Sequence, residues 1–146
     1  MTEQLDETDR KLLAALAENA RAPVADLARR FDVARTTVQA RIDRLVSRGV
    51  IAGFTIREGG AYAPPIRATA LVSIAPRTGA EVLARLKTLP NVRSVHTVSG
   101  RVDLIVELSA QSTDELDRTL DTIAEARGVQ SSESLIHLST KLDRRG

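Results

Sequence analysis

Arg35, Arg41, Arg44 and Arg48 fall within one stretch, Val33 to Gly49, against a single acid, Asp43. Guanidinium groups clustered in this way can neutralise phosphates and fork onto the acceptor edge of guanine. The alternative is a solvated arginine face, common in chains rich in Ala and Arg, and a charge run alone does not separate the two. The formal net charge is only +2, which confines the attraction to this patch. Such confinement suits directed binding of double-stranded DNA, because the rest of the surface is not drawn onto phosphates. Thr36, Thr37 and Gln39 add hydroxyl and amide groups at the N-terminal end of the same stretch, the end of a recognition helix that enters the major groove. The two hydroxyls equally suit the start of a helix.

Other chemistries find little support. There is no cysteine, which excludes disulfides and thiolate metal sites. His96 and His137 are the only histidines, and neither has a partner at metal-ligand spacing. No phosphate-binding glycine loop, nucleophile elbow or paired histidine-carboxylate motif is present. No enzyme, metal or cofactor is expected. The acids Asp114, Glu115, Asp117 and Asp121 read as a solvated helix face that favours the helix start. No apolar run is long enough to span a bilayer, and the N-terminal residues MTEQLDETDR are polar; a cytoplasmic protein without membrane contact is expected.

The arginine stretch needs helices to position it. Asp6 is a good N-cap, with Asp9 three residues on and Leu5 ahead of it. Leu12, Leu13 and Leu16 then mark a buried stripe, and Asn19 and Ala20 end the helix. Pro23 starts a second helix carrying Val24, Leu27, Ala28 and Phe31. Asp32 and Val33 make a turn. A third helix places Val38, Ile42, Leu45 and Val46 on one face, with Thr37, Arg41, Arg44 and Arg48 on a flanking, outward stripe. Gly49 suits a left-handed helix end, and Val50 to Ile56 read as a short strand. Helix, tight turn, helix is the pattern of a DNA-binding helix-turn-helix.

Paired glycines and prolines in Arg57 to Ile66 (REGGAYAPPI) predict a linker. Beyond it the period changes. Strands are expected at Ala68–Ile74, Val92–Val98, Val102–Leu108 and Gln130–Leu138. Helices are expected at Thr78–Leu89, with Val82, Leu83 and Leu86 inward, and after Ser112, with Leu116, Leu120 and Ile123 inward. Ser112 and Glu115 form a capping box there. The order strand, helix, strand, strand, helix, strand predicts a ferredoxin-like sheet with helices on one face. Apolar groups on both faces of Ala68–Ile74 leave the other face needing cover, which argues for a homodimer or larger homo-oligomer. The expected fold is α+β: a winged-type helix-turn-helix domain over 1–56, a linker over 57–66 and a ferredoxin-like βαββαβ domain over 67–146.

This combination resembles the Lrp/AsnC (leucine-responsive/asparagine, feast/famine) family of transcription regulators. The likeness is carried by LDETDRKLLAALAENARAPVADLARRF, TTVQARIDRLVSRGVIAGFTI, VSGRVDLIVEL and the closing strand. It implies a dimer, often assembled further, with DNA bound by the N-terminal domains. It also implies a small-molecule effector, commonly an amino acid, bound between C-terminal domains and shifting assembly or DNA affinity. Ala34 stands where the family often has a serine cap, and Arg35 where a proline is common. The family's Gly-Asp-aromatic-Asp effector loop reads Gly100-Arg101-Val102-Asp103 here.

On that resemblance Gly100, Arg101, Asp103, Ser112, Ser132 and Ser134 are the candidate effector residues. Asp103 could take an ammonium group and the loop N–H groups a carboxylate; Asp103 equally suits a hairpin turn, and Ser112 a helix cap. Arg101 could meet an acidic effector or an acidic side chain. The candidate DNA-binding residues are Arg35, Thr36, Thr37, Gln39, Arg41, Arg44 and Arg48. An effector-independent, nucleoid-associated DNA-binding protein is the competing function, and the altered loop leaves room for it.

Overall fold

The computed structural model describes residues 4–59, 61–62 and 65–143. Of the expected linker, Gly60, Ala63 and Pro64 lie outside the described residues, as do residues 1–3 and 144–146 of the flanking domains. The chain divides into two compact units at residues 59 and 60.

The first unit contains α1 (Glu7–Glu18), α2 (Val24–Phe31) and α3 (Arg35–Ser47). Helix α1 starts where Asp6 Oδ1 accepts the Asp9 N–H at 2.7 Å and ends at Asn19, whose N–H donates to the Ala15 carbonyl. Leu12, Ala15, Leu16, Leu27, Ala28 and Val38 form its core, with Phe31, Ile42 and Ile51 packed at the edge. Full burial of a leucine such as Leu12 contributes about 2 kcal/mol. Asp32 ends α2 in the left-handed conformation, φ 54°, which short polar side chains tolerate. That turn leads into α3, whose Val38 joins the same core.

Two expectations for this unit do not hold. Val46 is 44 % exposed; Leu45 takes the core position, and one residue on the side chain has rotated by about 100° away from it. Val50–Ile56 forms no strand. A strand requires a partner ladder, and among the described residues this unit contains only helices. Phe54 and Ile56 are consequently exposed.

The second unit runs β1 (Ile66–Ile74), α4 (Gly79–Lys87), β2 (Val92–Thr97), β3 (Leu104–Ala110), α5 (Thr113–Ala124) and β4 (Val129–Ile136). The strands form one sheet in the order β2-β3-β1-β4, every neighbouring pair antiparallel. Alternation puts Ala68, Ala70 and Val72 of β1 under the helices, where none retains solvent exposure. They pack with Val82 and Leu86 of α4, Val106 of β3 and Leu116 and Ile123 of α5. Leu83, expected inward, is exposed. On the uncovered face Thr69, Leu71 and Ser73 of β1 stand beside Ile105 and Glu107 of β3, all half-buried.

Ser112 caps α5 by accepting the Glu115 N–H at 3.2 Å. The second half of the expected capping box is displaced by one residue. Glu115 accepts from the Gln111 N–H at 2.8 Å and from Asn91 Nδ2 at 2.7 Å. Asn91 also donates to the Ser109 carbonyl and accepts from Thr119, so one half-buried amide ties the start of β2 to β3 and α5. These bonds, Asn91 foremost, hold the Glu115 carboxyl below the usual carboxylate range. Among the described residues no helix is long and apolar enough to cross a membrane.

Candidate nucleic-acid interface and effector loop

Helix α3 opens without a side-chain cap. Ala34 holds the N-cap position, and no acid lies in the first turn. The N–H groups there are thus unopposed by local carboxylates, which favours an incoming phosphate oxygen. Arg35 and Thr36 are exposed at this end. Thr36, Thr37, Ala40, Arg41 and Arg44 line a shallow depression of about 500 Å³. Gln39 is also exposed, and its Nε2 donates to Asp43 Oδ1 at 2.8 Å. Arg48 forms the C-cap, its N–H donating to the Arg44 carbonyl, and Gly49 follows at φ +73°.

Arg41 does not stand on an open stripe with its neighbours. Its Nη1 donates to Asp6 Oδ2 at 2.6 Å and to Asp9 Oδ1 at 3.0 Å, and its side chain is 25 % exposed. Arg44 is 44 % exposed, and its Nη2 lies 3.3 Å from Asp9 Oδ2. The N-terminal acids of α1 therefore hold two arginines of α3. The Arg41 hydrogen bond, followed by the Asp9 N–H, holds the Asp6 carboxyl below its ordinary range. Reciprocally, Asp6 and then Asp9 fasten the proton on the Arg41 guanidinium.

Sequence reasoning gave Asp9 a capping place and missed this role. The available signal was its phase. Asp9 lies three and seven residues before Leu12 and Leu16, on the buried stripe of α1, and it is itself buried. A carboxylate in that position requires a cationic partner.

In the second unit the Gly100 turn joins β2 to β3, with Gly100 at φ +149°. Asp103 Oδ2 accepts the Ile74 N–H at 2.9 Å, and the Asp103 N–H donates to the Val72 carbonyl. The residue thus completes the ladder at the end of β1. Arg101 Nη2 lies 3.6 Å from Glu133 Oε2. Ser132 and Ser134 pair with Val72 and Ala70 and share the helix-covered face, whereas Glu133, opposite Leu71, lies on the uncovered one. One end of the sheet thus gathers Gly100, Arg101, Asp103 and Ser132. Ser112 follows β3 at the opposite end, since Ala110 pairs with Ile66 and Leu104 with Val72. The intervening strand spans roughly 20 Å.

Comparison with known proteins agrees with this architecture. Residues 5–46 match the AsnC-type helix-turn-helix domain, and residues 67–146 match the Lrp/AsnC ligand binding domain. The chain belongs to the Lrp/AsnC family: it is a transcriptional regulator with a DNA-binding helix-turn-helix and a ligand-binding domain, and not an enzyme. An uncharacterized helix-turn-helix transcriptional regulator of Pyrococcus horikoshii is 36 % identical over 146 residues, 96 % of this chain and 97 % of that protein. A helix-turn-helix transcriptional regulator of Mycobacterium tuberculosis is 33 % identical over 144 residues, 97 % of each chain. Among solved structures, AsnC of E. coli superposes with a TM-score of 0.89 at 26 % identity, covering 98 % of both chains. A feast or famine regulatory protein of M. tuberculosis, complexed with L-methionine, gives 0.87 at 29 % identity, again over 98 % of both.

Proposed function

We propose that this chain is a sequence-specific regulator that reads duplex DNA with α3 and whose assembly or DNA affinity is set by a small effector, an amino acid. What carries the reading is the uncapped, acid-free start of α3 beside Thr36, Thr37 and Arg44. Arg35, Thr36, Thr37, Gln39, Arg44 and Arg48 form the contact set, the cations taking phosphates and the N-terminal groups meeting base edges. The two domain assignments follow the two units: DNA binding before the linker, effector binding and oligomerisation after it.

The effector pocket is assigned to the Gly100–Asp103 end of the sheet. The methionine complex of the M. tuberculosis regulator supports an amino acid as the class of ligand. Asp103 Oδ1 and the Ser132 hydroxyl are the groups offered to an ammonium. Ser112, at the other end of its own sheet, reaches such a pocket only from another subunit. The uncovered sheet face, with Leu71 and Ile105 among polar groups, supports a homodimer or larger homo-oligomer. A soluble protein working in the cytoplasm fits this function.

The second reading, an effector-independent nucleoid-associated protein, is favoured by the loop itself. Arg101 is occupied by Glu133 and Asp103 by the Ile74 N–H. Thermal unfolding with each common amino acid, with and without DNA, separates the two. A ligand of the folded state raises the melting temperature, and the stabilisation grows with the logarithm of ligand concentration once that exceeds Kd. A shift for one or a few amino acids supports sensing; no shift from any of them supports the effector-independent function.

A further inference from the structure

The acids of α1 and the arginines of α3 are not equal partners. Arg41 makes two short contacts to Asp6 and Asp9, at 2.6 and 3.0 Å. Arg44 makes only long ones to Asp9, at 3.3 and 3.5 Å, both through Nη2. Asp9 is 6 % exposed at its side chain. A carboxylate so buried is strongly destabilising once its cation leaves, so the protein cannot lend Arg41 to a phosphate without disrupting the α1–α3 contact. Arg44 is under no such constraint, because Arg41 alone keeps Asp9 paired.

We infer that Asp9 is a positioning residue of the DNA-binding surface: together with Asp6 it withholds Arg41 from DNA, and it steadies Arg44 at the surface with Nη1 and Nε uncommitted among the described residues. Asp9 thereby limits how many cations α3 presents. It does so across a span of 32 and 35 residues, through an ion pair that also locks α1 onto α3. Fewer loose cations weaken sequence-independent attraction, which is the background against which a specific site must be found. The inference rests on the reading of α3 as the DNA-contacting helix.

The test is a set of salt titrations of full-length protein against a random-sequence duplex DNA, with circular dichroism as the check on folding. Arg44→Ala is expected to flatten the slope of log K against log salt by about 0.9 for each bound α3. Asp9→Asn combined with Asp6→Asn, which keeps the α1 cap, releases Arg41 from both carboxylates and is expected to steepen the slope by the same amount; Asp9→Asn alone, with Asp6 still at 2.6 Å, is expected to give part of that change. The double variant should also raise random-sequence affinity on the order of tenfold near 0.1 M salt. Asp9→Asn combined with Arg41→Gln returns the slope to that of the wild type. A purely structural Asp9 would change the melting temperature and leave the slope alone, which overturns the inference. Should Asp9→Asn not fold, Arg41→Gln decides alone: it removes the charge yet keeps an amide donor for the carboxylates. An unchanged slope sustains the inference, and a slope flattened by a full unit overturns it. If Arg44→Ala, Arg48→Ala and Asp9→Asn all bind like wild type, it is the assignment of α3 to DNA that fails.

Discussion

Gly128 and Thr78 approach so closely that no methyl group fits between them. A Cβ on Gly128 would lie 2.7 Å from Thr78 Cβ and 2.8 Å from its hydroxyl, with Val82 at 3.0 Å. The same glycine sits at φ +96°, and its carbonyl accepts the Ala75 N–H at 2.8 Å. The turn between α5 and β4 is thereby pressed against the start of α4, immediately before β4 enters the sheet beside β1.

Gly128→Ala should therefore combine backbone strain with steric overlap and destabilise the second unit by about 3 kcal/mol. Gly49→Ala provides the control. Its φ of +73° is strained for alanine, but nothing lies within 4 Å of the new methyl, so a cost of about 1 kcal/mol is expected. Urea unfolding of both variants, followed by circular dichroism, checks the ranking; equal costs would refute the role given to Thr78.

The Asp6–Arg41 pair makes stability depend on pH. The Asp6 carboxyl titrates below its ordinary value of 3.8 in the folded protein. Its contribution is present above that ordinary value and is lost as pH falls through the lower folded one. Asp6→Asn isolates the charge, because asparagine caps a helix as well as aspartate does. The wild type should have the higher urea midpoint at neutral pH, and the gap should close as the solution is acidified through pH 3.8 and below. A gap that widens on acidification would contradict the sign.

At the start of α5, Ser112→Ala removes one cap bond and should cost about 1 kcal/mol. Glu115→Ala strips the acceptor from both the Gln111 N–H and Asn91 and should also lower stability. The two act on the same turn, so the double variant should fall short of the sum. Strict additivity in a double-mutant cycle would show that the bonds are independent.

The effector loop offers a clean separation between scaffold and ligand contact. Asp103→Ala removes the acceptor of the Ile74 N–H and should cost about 1 kcal/mol without any ligand present. Arg101 and Glu133 form an exposed pair, so Arg101→Ala should change stability by less than about 0.5 kcal/mol. Thermal unfolding of both ligand-free variants tests this. A large loss in Arg101→Ala would make Arg101 part of the scaffold.

Local signals carried most of the fold. Asp6, Ser112 and the left-handed positions at Asp32 and Gly49 mark element ends through bonds within a few residues of themselves. The alternation of Ala68, Ala70 and Val72 with Thr69 and Leu71 marks the two faces of β1. What the sequence concealed was long-range. Asp9 looks like a cap residue until Arg41 and Arg44 arrive from 32 and 35 positions away. Ser112 looks like a companion of Asp103 until the register of β1 and β3 sends them to opposite ends. Val50–Ile56 has strand composition, yet pairing depends on a second extended segment that its own unit does not contain.

The placement of β1 between β3 and β4 has a consequence for synthesis on the ribosome. The apolar core of the first unit is drawn from residues between Leu12 and Ile51, so that core can form while the rest of the chain is still being made. The sheet cannot. Its earliest strand takes its final neighbour from Val129–Ile136, and until those residues emerge one edge of β1 offers unpaired N–H and C=O groups to any extended chain nearby. A nascent or prematurely terminated copy thus carries a finished DNA-binding unit joined to an open, adhesive sheet.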